Sequence, residues 1–205
     1  MKPEYWDRAK RALARRDPVM AAIIRRYPRA HLVPRGDPFH TLARAIVGQQ
    51  ISVKAAQSVW NRFSGVAIEV NPEKVIGLKV SQMRACGLSL RKCEYVSDLA
   101  RRFADGLVHV HRWPEMSDEE VIADLVQVRG IGRWTAEMFL MFNLLRPDVF
   151  PLGDLGLRKG IQVAYHRGRK VSLKTLQNRG EALRPWRSAA TWYLWRSLDP
   201  LPVEY

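Results

Sequence analysis

The stretch Val128-Arg-Gly-Ile-Gly-Arg-Trp-Thr-Ala-Glu137 decides the local fold, because two glycines one residue apart allow a turn too tight for residues with a Cβ atom. Upstream, Ser117 and Glu120 match an N-terminal capping box, and apolar residues follow at helical spacing. Downstream, an apolar stripe from Met138 to Leu145 predicts a second helix. The sequence therefore predicts a helix-hairpin-helix motif over about residues 118–145.

The turn of this motif is a candidate phosphate site. It leaves the free N–H groups of the second helix directed outward, where a phosphate binds without readout of a base sequence. A short Gly-x-Gly segment alone is equally typical of an ordinary interhelical turn. Arg129 and Arg133 beside the turn, and the small Thr135-Ala136 pair where two helices must approach, favour the phosphate site. The residues predicted to bind the phosphate are Gly130, Ile131, Gly132, Arg133 and Thr135.

Asp154, twenty residues after Trp134, is the candidate for chemistry. It lies in Pro151-Leu-Gly-Asp-Leu-Gly156, a glycine-rich turn that would present its carboxylate at the start of a helix over about 154–166. Asp is also a common N-cap residue, so its simplest role is to cap that helix. The two roles are compatible, because the N-terminus of a helix stabilises a negative charge.

Composition narrows the class of partner. The chain has 205 residues and a formal net charge of +14, from 34 basic and 20 acidic residues. This excess favours a polyanionic partner, although a solvated arginine-rich surface would produce the same count. No apolar run is long enough to span a membrane and the first residues do not form a signal peptide, so we expect a cytoplasmic protein without a membrane partner. The cysteines, Cys86 and Cys93, are expected to be small buried residues, and His109 and His111 to be solvated.

Several further segments follow one another in a set order along residues 38–196. They are Gly48-Gln-Gln-Ile-Ser52, Gly87-Leu-Ser-Leu-Arg-Lys92, the stretch from Val128 to Ala136, Val149-Phe-Pro-Leu-Gly-Asp-Leu-Gly-Leu-Arg158, and Arg184-Pro-Trp-Arg-Ser188. In this order they resemble the helix-hairpin-helix DNA glycosylases (the HhH-GPD superfamily), and within it the alkylpurine branch of the 3-methyladenine DNA glycosylase II type.

The resemblance implies an all-α fold of two helical lobes with a DNA-binding active-site cleft between them. One lobe would span 38–146, ending in the helix-hairpin-helix motif, and the other would combine 1–37 with 147–205. Many alkylpurine relatives carry an additional N-terminal β-rich domain. The residues before the shared region are too few and too helical for it, so we expect the compact form.

The function that the resemblance implies is base-excision DNA repair, in which an alkylated purine of the 3-methyladenine or 7-methylguanine type is flipped out of double-stranded DNA and hydrolysed off. Breaking the N-glycosidic C1′–N bond passes through an oxocarbenium-like state, which the Asp154 carboxylate would stabilise. Trp134 stands where bifunctional relatives carry a Schiff-base lysine, so the expected enzyme is monofunctional, without lyase activity, and leaves an abasic site.

The resemblance also assigns the base-binding residues. The substrate pocket would contain Trp134, Met138, Leu155 and Trp195, of which Trp195 matches the family's stacking tryptophan. Gln50, or its neighbour Ile51, would be the wedge that fills the gap left by the flipped base. The alternative is that Gln49 and Gln50 only satisfy backbone groups at a helix break. Because Met138 and Leu155 replace aromatic residues found in some relatives, a glycosylase for uracil, hypoxanthine or a mismatched base is an alternative. A non-catalytic helix-hairpin-helix DNA-binding protein is another, and the retained Asp154 argues against it.

No cofactor is expected to be required for hydrolysis. The backbone carbonyls of Val126, Val128 and Ile131 correspond to those with which relatives bind a monovalent cation. Some relatives hold an iron–sulfur cluster with four cysteines near the C-terminus, and no cysteine follows Cys93, so no such cluster is expected. The expected partner is duplex DNA with damaged bases, bound by a monomer that is associated with the nucleoid.

Overall fold

The structure is a computed structural model that describes residues 2–198. In this part of the chain all regular structure is helical: it contains twelve α-helices and one 3-10 helix, and no strand. The predicted all-α class is therefore confirmed. Within the same residues, no helix combines the length and the apolar character needed to cross a bilayer.

Two compact units divide the chain. The first is formed by residues 2–34 and 140–198, and its helices are α1 (Trp6–Arg16), α2 (Pro18–Arg26), α10 (Leu155–His166), α11 (Leu173–Ala182) and α12 (Arg187–Leu198). The second is formed by residues 35–139, with α3 (Pro38–Gly48), α4 (Val53–Ala67), α5 (Pro72–Ile76), α6 (Val80–Ala85), α7 (Leu90–Ala104), the 3-10 helix Val110–Arg112 and α8 (Asp118–Leu125). Helix α9 (Arg133–Phe142) begins in the second unit, and its residues from Leu140 onward are counted with the first. The lobe boundaries drawn from the sequence stay a prediction.

Short polar side chains set where most of these helices begin. An N-cap oxygen accepts an N–H of the first turn, which has no acceptor inside the helix. The capping residues with such a bond are Asp17, Asp37, Ser52, Asn71, Ser89, Ser117, Asp154 and Ser172. The predicted capping box of Ser117 and Glu120 is present in full, with bonds in both directions. These local signals explain why the helix starts follow the sequence closely.

The core of the first unit is built on α12 and the aromatic residues around it. Trp6 of α1 is fully buried; its ring lies edge-on to Trp192 at 5.4 Å and stacks on Tyr193 at 5.7 Å with the ring planes 29° apart. Helix α10 packs closely on α12 at Gly160, where an added Cβ would lie 3.0 Å from the carbonyl oxygen of Leu194. The glycine therefore permits the approach that brings the start of α10 toward α12.

A chain of aromatic rings runs through the core of the second unit. Phe39 contacts Phe103 at 5.3 Å, Phe103 contacts Trp113 at 6.5 Å, and Trp113 contacts Phe139 at 5.1 Å between ring centroids. Phe139 belongs to α9, so this row of rings ties the second helix of the hairpin motif to α3 and α7. Burial of the aromatic rings is the main stabilising contribution to this arrangement.

Two expectations from the sequence are wrong in detail. The helices on either side of the hairpin are shorter than 118–145 suggests: α8 ends at Leu125 and α9 at Phe142, and Leu145 lies beyond the helix with φ at +54°. His109 is not merely solvated, because its Nδ1 lies 2.7 Å from Oδ1 of the buried Asp124. The same carboxylate accepts the indole N–H of Trp113 at 2.8 Å. Cys86 and Cys93 are free and buried, as expected.

Candidate functional site

A tight turn presents Asp154 at the start of α10. The amide of Asp154 donates to the carbonyl of Pro151 at 2.8 Å, and the amide of Leu152 donates to the carbonyl of Phe150 at 2.8 Å. The Asp154 side chain then caps the helix, since its Oδ1 accepts the amide N–H of Leu157 at 2.6 Å. The capping role considered from the sequence is therefore present, and it holds the carboxylate in one orientation.

Trp195 of α12 binds the same carboxylate. Its indole Nε1 donates to Oδ1 of Asp154 at 2.8 Å. The indole is itself fixed, because it stacks on Phe142 with centroids 6.2 Å apart and ring planes 7° from parallel. Asp154 is only 7% exposed, so these donors replace part of the hydration that its charge loses on burial.

Gly156 leaves the space that this contact needs. A Cβ at that position would lie 3.1 Å from Oδ1 of Asp154 and 3.1 Å from Cδ1 of Trp195. The second glycine of the turn is therefore required by packing rather than by backbone conformation. We call Asp154, Gly156, Trp195 and Phe142 the Asp154 corner.

The other predicted pocket residues differ widely in exposure. Leu155 follows Asp154 directly and is 76% exposed, so it presents an apolar side chain beside the carboxylate. Trp134 and Met138 lie one turn apart on α9 in the second unit. Trp134 is 37% exposed, whereas Met138 is buried. Of the predicted site residues in the first unit, the structure brings Asp154 and Trp195 into direct contact.

The hairpin between α8 and α9 depends on Gly130. Its φ is +84°, in the left-handed region that favours glycine. The ring of Tyr95 also packs directly on it, since an added Cβ would lie 2.2 Å from Cδ2 of that ring. Gly132 has nothing within 4 Å of an added Cβ, so its side is open. The two glycines of the motif therefore have different reasons to be glycine.

Some backbone amides of the hairpin donate to a protein acceptor and others do not. The amide of Arg129 donates to Oδ2 of Asp98 at 2.9 Å, and that of Ile131 donates to the carbonyl of Val128 at 3.1 Å. Within the described residues, the amides of Gly130 and Gly132 donate to no protein acceptor. The backbone donors left for an anion are therefore those of the two glycines and of Arg133 and Thr135 at the start of α9.

The arginines of the hairpin form ion pairs. Arg129 donates to Glu94 at 2.9 Å. Arg133 pairs with Glu119 and, at 3.2 Å through Nε, with Glu137. The bond to Glu119 lowers the pKa of that carboxyl below its usual value. The positive charge beside the turn is therefore largely compensated, and the neutral amides are the principal donors there.

The loop that carries the predicted wedge is fastened to this hairpin. The side-chain amide of Gln49 donates to the carbonyl of Gly130 at 2.8 Å. On the other side of the loop, Nζ of Lys92 donates to the carbonyl of Val47 in the last turn of α3 at 2.7 Å, and burial lowers the pKa of Lys92. Directly after these attachments in the chain, Gln50 has φ at +59° and is exposed, and Ile51 is 40% exposed.

Three residues support the site, of which Gln49 was considered from the sequence, as a partner of backbone groups, and Lys92 and Tyr95 were missed. Gln49 and Lys92 fasten the wedge loop, and Tyr95 supports the hairpin glycine. Lys92 ends the Gly87–Lys92 segment, and Gln49 stands in the Gly48–Ser52 segment, so both lie in stretches already singled out. Tyr95 carries no comparable signal, because an aromatic residue on a helix is ordinarily a core residue.

Comparison with known proteins gives a consistent answer. Residues 43–185 match the family described as HhH-GPD superfamily base excision DNA repair protein. DNA-3-methyladenine glycosylase 1 of Schizosaccharomyces pombe is 39% identical over 166 residues, which are 78% of this chain and 72% of that protein. DNA-3-methyladenine glycosylase of Bacillus subtilis is 29% identical over 198 residues, and the chain spans 65% of its length.

A solved structure agrees over almost the whole chain. The 3-methyladenine DNA glycosylase of S. pombe in complex with abasic DNA superposes with a TM-score of 0.82, at 31% sequence identity. The match covers 97% of this chain and 99% of that one. The similarity therefore includes the hairpin, the wedge loop and the Asp154 corner alike. This chain belongs to the HhH-GPD superfamily of base excision DNA repair proteins.

Proposed function

We propose that the protein is a monofunctional DNA glycosylase that removes alkylated purines, of the 3-methyladenine and 7-methylguanine type, from double-stranded DNA. The observation that carries the proposal is the buried Asp154 carboxylate, held by Leu157 and Trp195 at the start of α10. The names of the relatives point to the same lesion class.

Asp154 supplies the charge that the reaction needs. When the C1′–N bond breaks, the base leaves with the bonding electrons and the sugar acquires positive charge. A carboxylate already oriented by fixed donors stabilises that charge without reorganising, and its effect is larger where water is excluded. Water then adds to C1′ and gives up a proton, so that the products are the free base and an abasic site.

Cleavage stops at base release in this proposal. Trp134 occupies the position of the Schiff-base lysine of bifunctional relatives, and an indole cannot form a covalent bond with the sugar as an amine does. We assign Trp134, Met138, Leu155 and Trp195 to recognition of the base. Alkylated purines often carry a positive charge, which favours contact with the electron-rich faces of tryptophan.

The second unit binds and distorts the DNA. The amides of the hairpin residues, Gly130 and Gly132 above all, bind one phosphate, and a base flipped from the stack is replaced by Gln50 or Ile51. The left-handed backbone of Gln50 supports this role, because exposed strained residues are frequent at functional sites. The net charge of +14 favours binding to the DNA phosphates. In this proposal the protein binds as a monomer, and in a cell without a nucleus it would be found at the nucleoid in the cytoplasm.

We assign one monovalent cation to the hairpin and no cofactor to the reaction. The carbonyls of Val126, Val128 and Ile131 would bind it. The carbonyl of Val128 accepts the amide of Ile131 at 3.1 Å and keeps a second lone pair for an ion. DNA affinity in potassium chloride should exceed that in tetramethylammonium chloride of the same ionic strength, and equal affinities would contradict the assignment.

The decisive experiment compares the native protein with Asp154→Asn on alkylated duplex DNA. The asparagine Oδ1 can still accept from Leu157 and Trp195, so the fold is retained and only the charge is lost. We expect release of N-methylpurines to fall by about a hundredfold or more, while duplex binding persists. Asp105→Asn, an equal charge change at an exposed residue, is the matched control and should release bases at the native rate.

Either of two results would overturn the proposal. Absence of methylpurine release by the native protein would exclude the alkylpurine assignment and direct the search to uracil, hypoxanthine or mismatched bases. Undiminished release by Asp154→Asn would mean that another group does the chemistry.

A further inference from the structure

A cavity of about 440 Å³ lies on the first unit, and none of the residues that line it is assigned to catalysis or DNA binding. It is formed by one side of α1 and by Pro185 and Trp186 of the Arg184–Ser188 segment. That segment is one of the motifs of the sequence, and the proposed reaction makes no use of these two residues.

Four arginines of α1 form the rim of this cavity. Arg8, Arg11 and Arg15 are spaced to lie on one face of the helix, and Arg16 joins them at its end. All four are exposed. The Arg16 guanidinium donates to the carbonyls of Arg184 at 2.9 Å and Ala182 at 3.0 Å, which orients it without neutralising it.

The four rim arginines form no ion pair in the described part of the chain. The nearby carboxylate is that of Asp7, which is bound to Lys2; Lys2 and, to a smaller extent, the charge of Arg11 lower its pKa. This differs from the hairpin, where Arg129 and Arg133 are both paired with glutamates. The cavity is therefore a concentrated positive site, which Asp7 offsets only in part and only at Arg11.

The floor of the cavity is apolar, and its indole ring is held between neighbouring groups. Ala12, Pro185 and Trp186 form it, and the indole of Trp186 stacks on Tyr5 with centroids 6.0 Å apart and ring planes at 16°. The Arg8 guanidinium also lies over this indole, 5.6 Å from the ring centroid. A ligand that fills the site must place an apolar group on the floor and anionic groups at the rim.

This combination favours a peptide over DNA. The convex surface of a duplex could bring phosphates to the rim, but it has no apolar group that could enter the cavity. An acidic peptide with one apolar side chain satisfies the floor and the rim together, since aromatic and arginine residues dominate the energetics of such contacts.

We propose that this cavity docks an acidic segment of a partner protein, with an apolar side chain against Trp186 and carboxylates on both sides paired with Arg8, Arg11 and Arg15. The proposal does not depend on the glycosylase activity, because the two surfaces share no residue. It provides a means of bringing the protein to other components without occupying its DNA-binding residues.

The test uses a fluorescein-labelled peptide with aspartates on both sides of one phenylalanine. Fluorescence anisotropy at physiological ionic strength would compare the native protein with the double variant Arg11→Glu/Arg15→Glu. The control is Arg25→Glu/Arg26→Glu, an identical charge change at exposed residues of α2 that do not line the cavity. We expect the cavity variant to lose at least about tenfold in affinity, because like charges then face one another, and the control to lose less than about threefold.

A second peptide, with serine in place of the phenylalanine, tests the floor and should bind several-fold more weakly. Thermal unfolding and methylpurine release, unchanged in both double variants, would establish that each is folded. Equal losses in the two double variants would overturn the proposal, since attraction would then follow net charge. It would also be overturned if serine replaced phenylalanine without effect, or if the cavity variant lost affinity for duplex DNA and not for the peptide.

Discussion

The Asp154 corner of the first unit and the hairpin of the second hold polar groups in opposite ways. In the corner, a charged side chain is buried and oriented by an amide and an indole N–H from elsewhere in the chain. In the hairpin, neutral backbone amides are left exposed, while the neighbouring arginines are paired with glutamates. Chemistry at a developing charge needs the first arrangement. Binding of a phosphate without readout of the base sequence needs only exposed backbone amides. Activity should therefore be sensitive to the side chains of the Asp154 corner, and DNA binding to the backbone conformation of the hairpin.

The largest expected effect tests the hairpin. Gly130→Ala combines a positive φ with a collision against the Tyr95 ring, and it should lower the free energy of unfolding by about 2 kcal/mol or more. Gly132→Ala is the matched change, in open space, and should alter stability by less than about 0.5 kcal/mol. Urea unfolding measures both. Equal destabilisation by the two variants would contradict the difference drawn between the glycines.

The next effect tests the corner. Trp195→Phe keeps an aromatic ring over Phe142 but removes the donor to Asp154, so the carboxylate is less well held. We expect single-turnover base release to slow by about tenfold, with duplex affinity unchanged. Phe142→Leu removes the stacking ring and keeps the N–H donor, and it should slow release by less. If Trp195→Phe released bases at the native rate, the bond to Asp154 would have no role in positioning.

A smaller effect is expected for the link between the wedge loop and the hairpin. Gln49→Met removes the donor to the Gly130 carbonyl with little change in size, and should cost about 1 kcal/mol of folding stability. Gln50→Met is the control, because Gln50 is exposed and its side chain donates no bond within the described residues. Thermal unfolding of the two variants checks the link, and it would be refuted by a Gln49→Met protein as stable as the control.

The smallest effect concerns the strained residue itself. Gln50→Gly and Gln50→Ala both remove the side chain proposed as wedge, but only glycine relieves the positive φ. Gln50→Gly should therefore be more stable than Gln50→Ala by up to about 1 kcal/mol, while both release bases more slowly than the native protein. Calorimetry separates the two variants, and greater stability of the alanine variant would argue against strain at this residue.

Local features of the fold were predictable in most places. Asp17, Asp37 and Asn71 before prolines, and Ser52, Ser89 and Ser117 before apolar runs, all cap helices as their sequence context indicates. The helix ends were less predictable, as α8 and α9 show. A C-terminus depends on where tertiary contacts make the next turn unfavourable, and Leu145 enters the left-handed region despite fitting the apolar stripe of α9.

In the site, too, residues with a local signal were predicted and contacts made by tertiary packing were not. Asp154, Gly130 and Gly132 were identified from short stretches in which glycine and a carboxylate carry their own physical meaning. His109 was misjudged because its partner, Asp124, is brought close only by the packing of α8. The contact of Trp186 with Arg8 of α1 could not be predicted from the sequence either, since the segments that form this cavity lie near opposite ends of the chain.

The sequence by itself determined the all-helical class, the helix starts, the glycine turn and the carboxylate at the start of α10, because each depends on interactions between residues only a few positions apart. Tertiary structure alone decided that Trp195 binds Asp154, forty-one residues away, and that Gln49 binds Gly130, eighty-one residues away. Such bonds depend on how the core of each unit packs, because the partners lie on different elements of the same unit. Burial of apolar side chains drives that packing without regard to direction, and it leaves the polar groups where the packed helices place them.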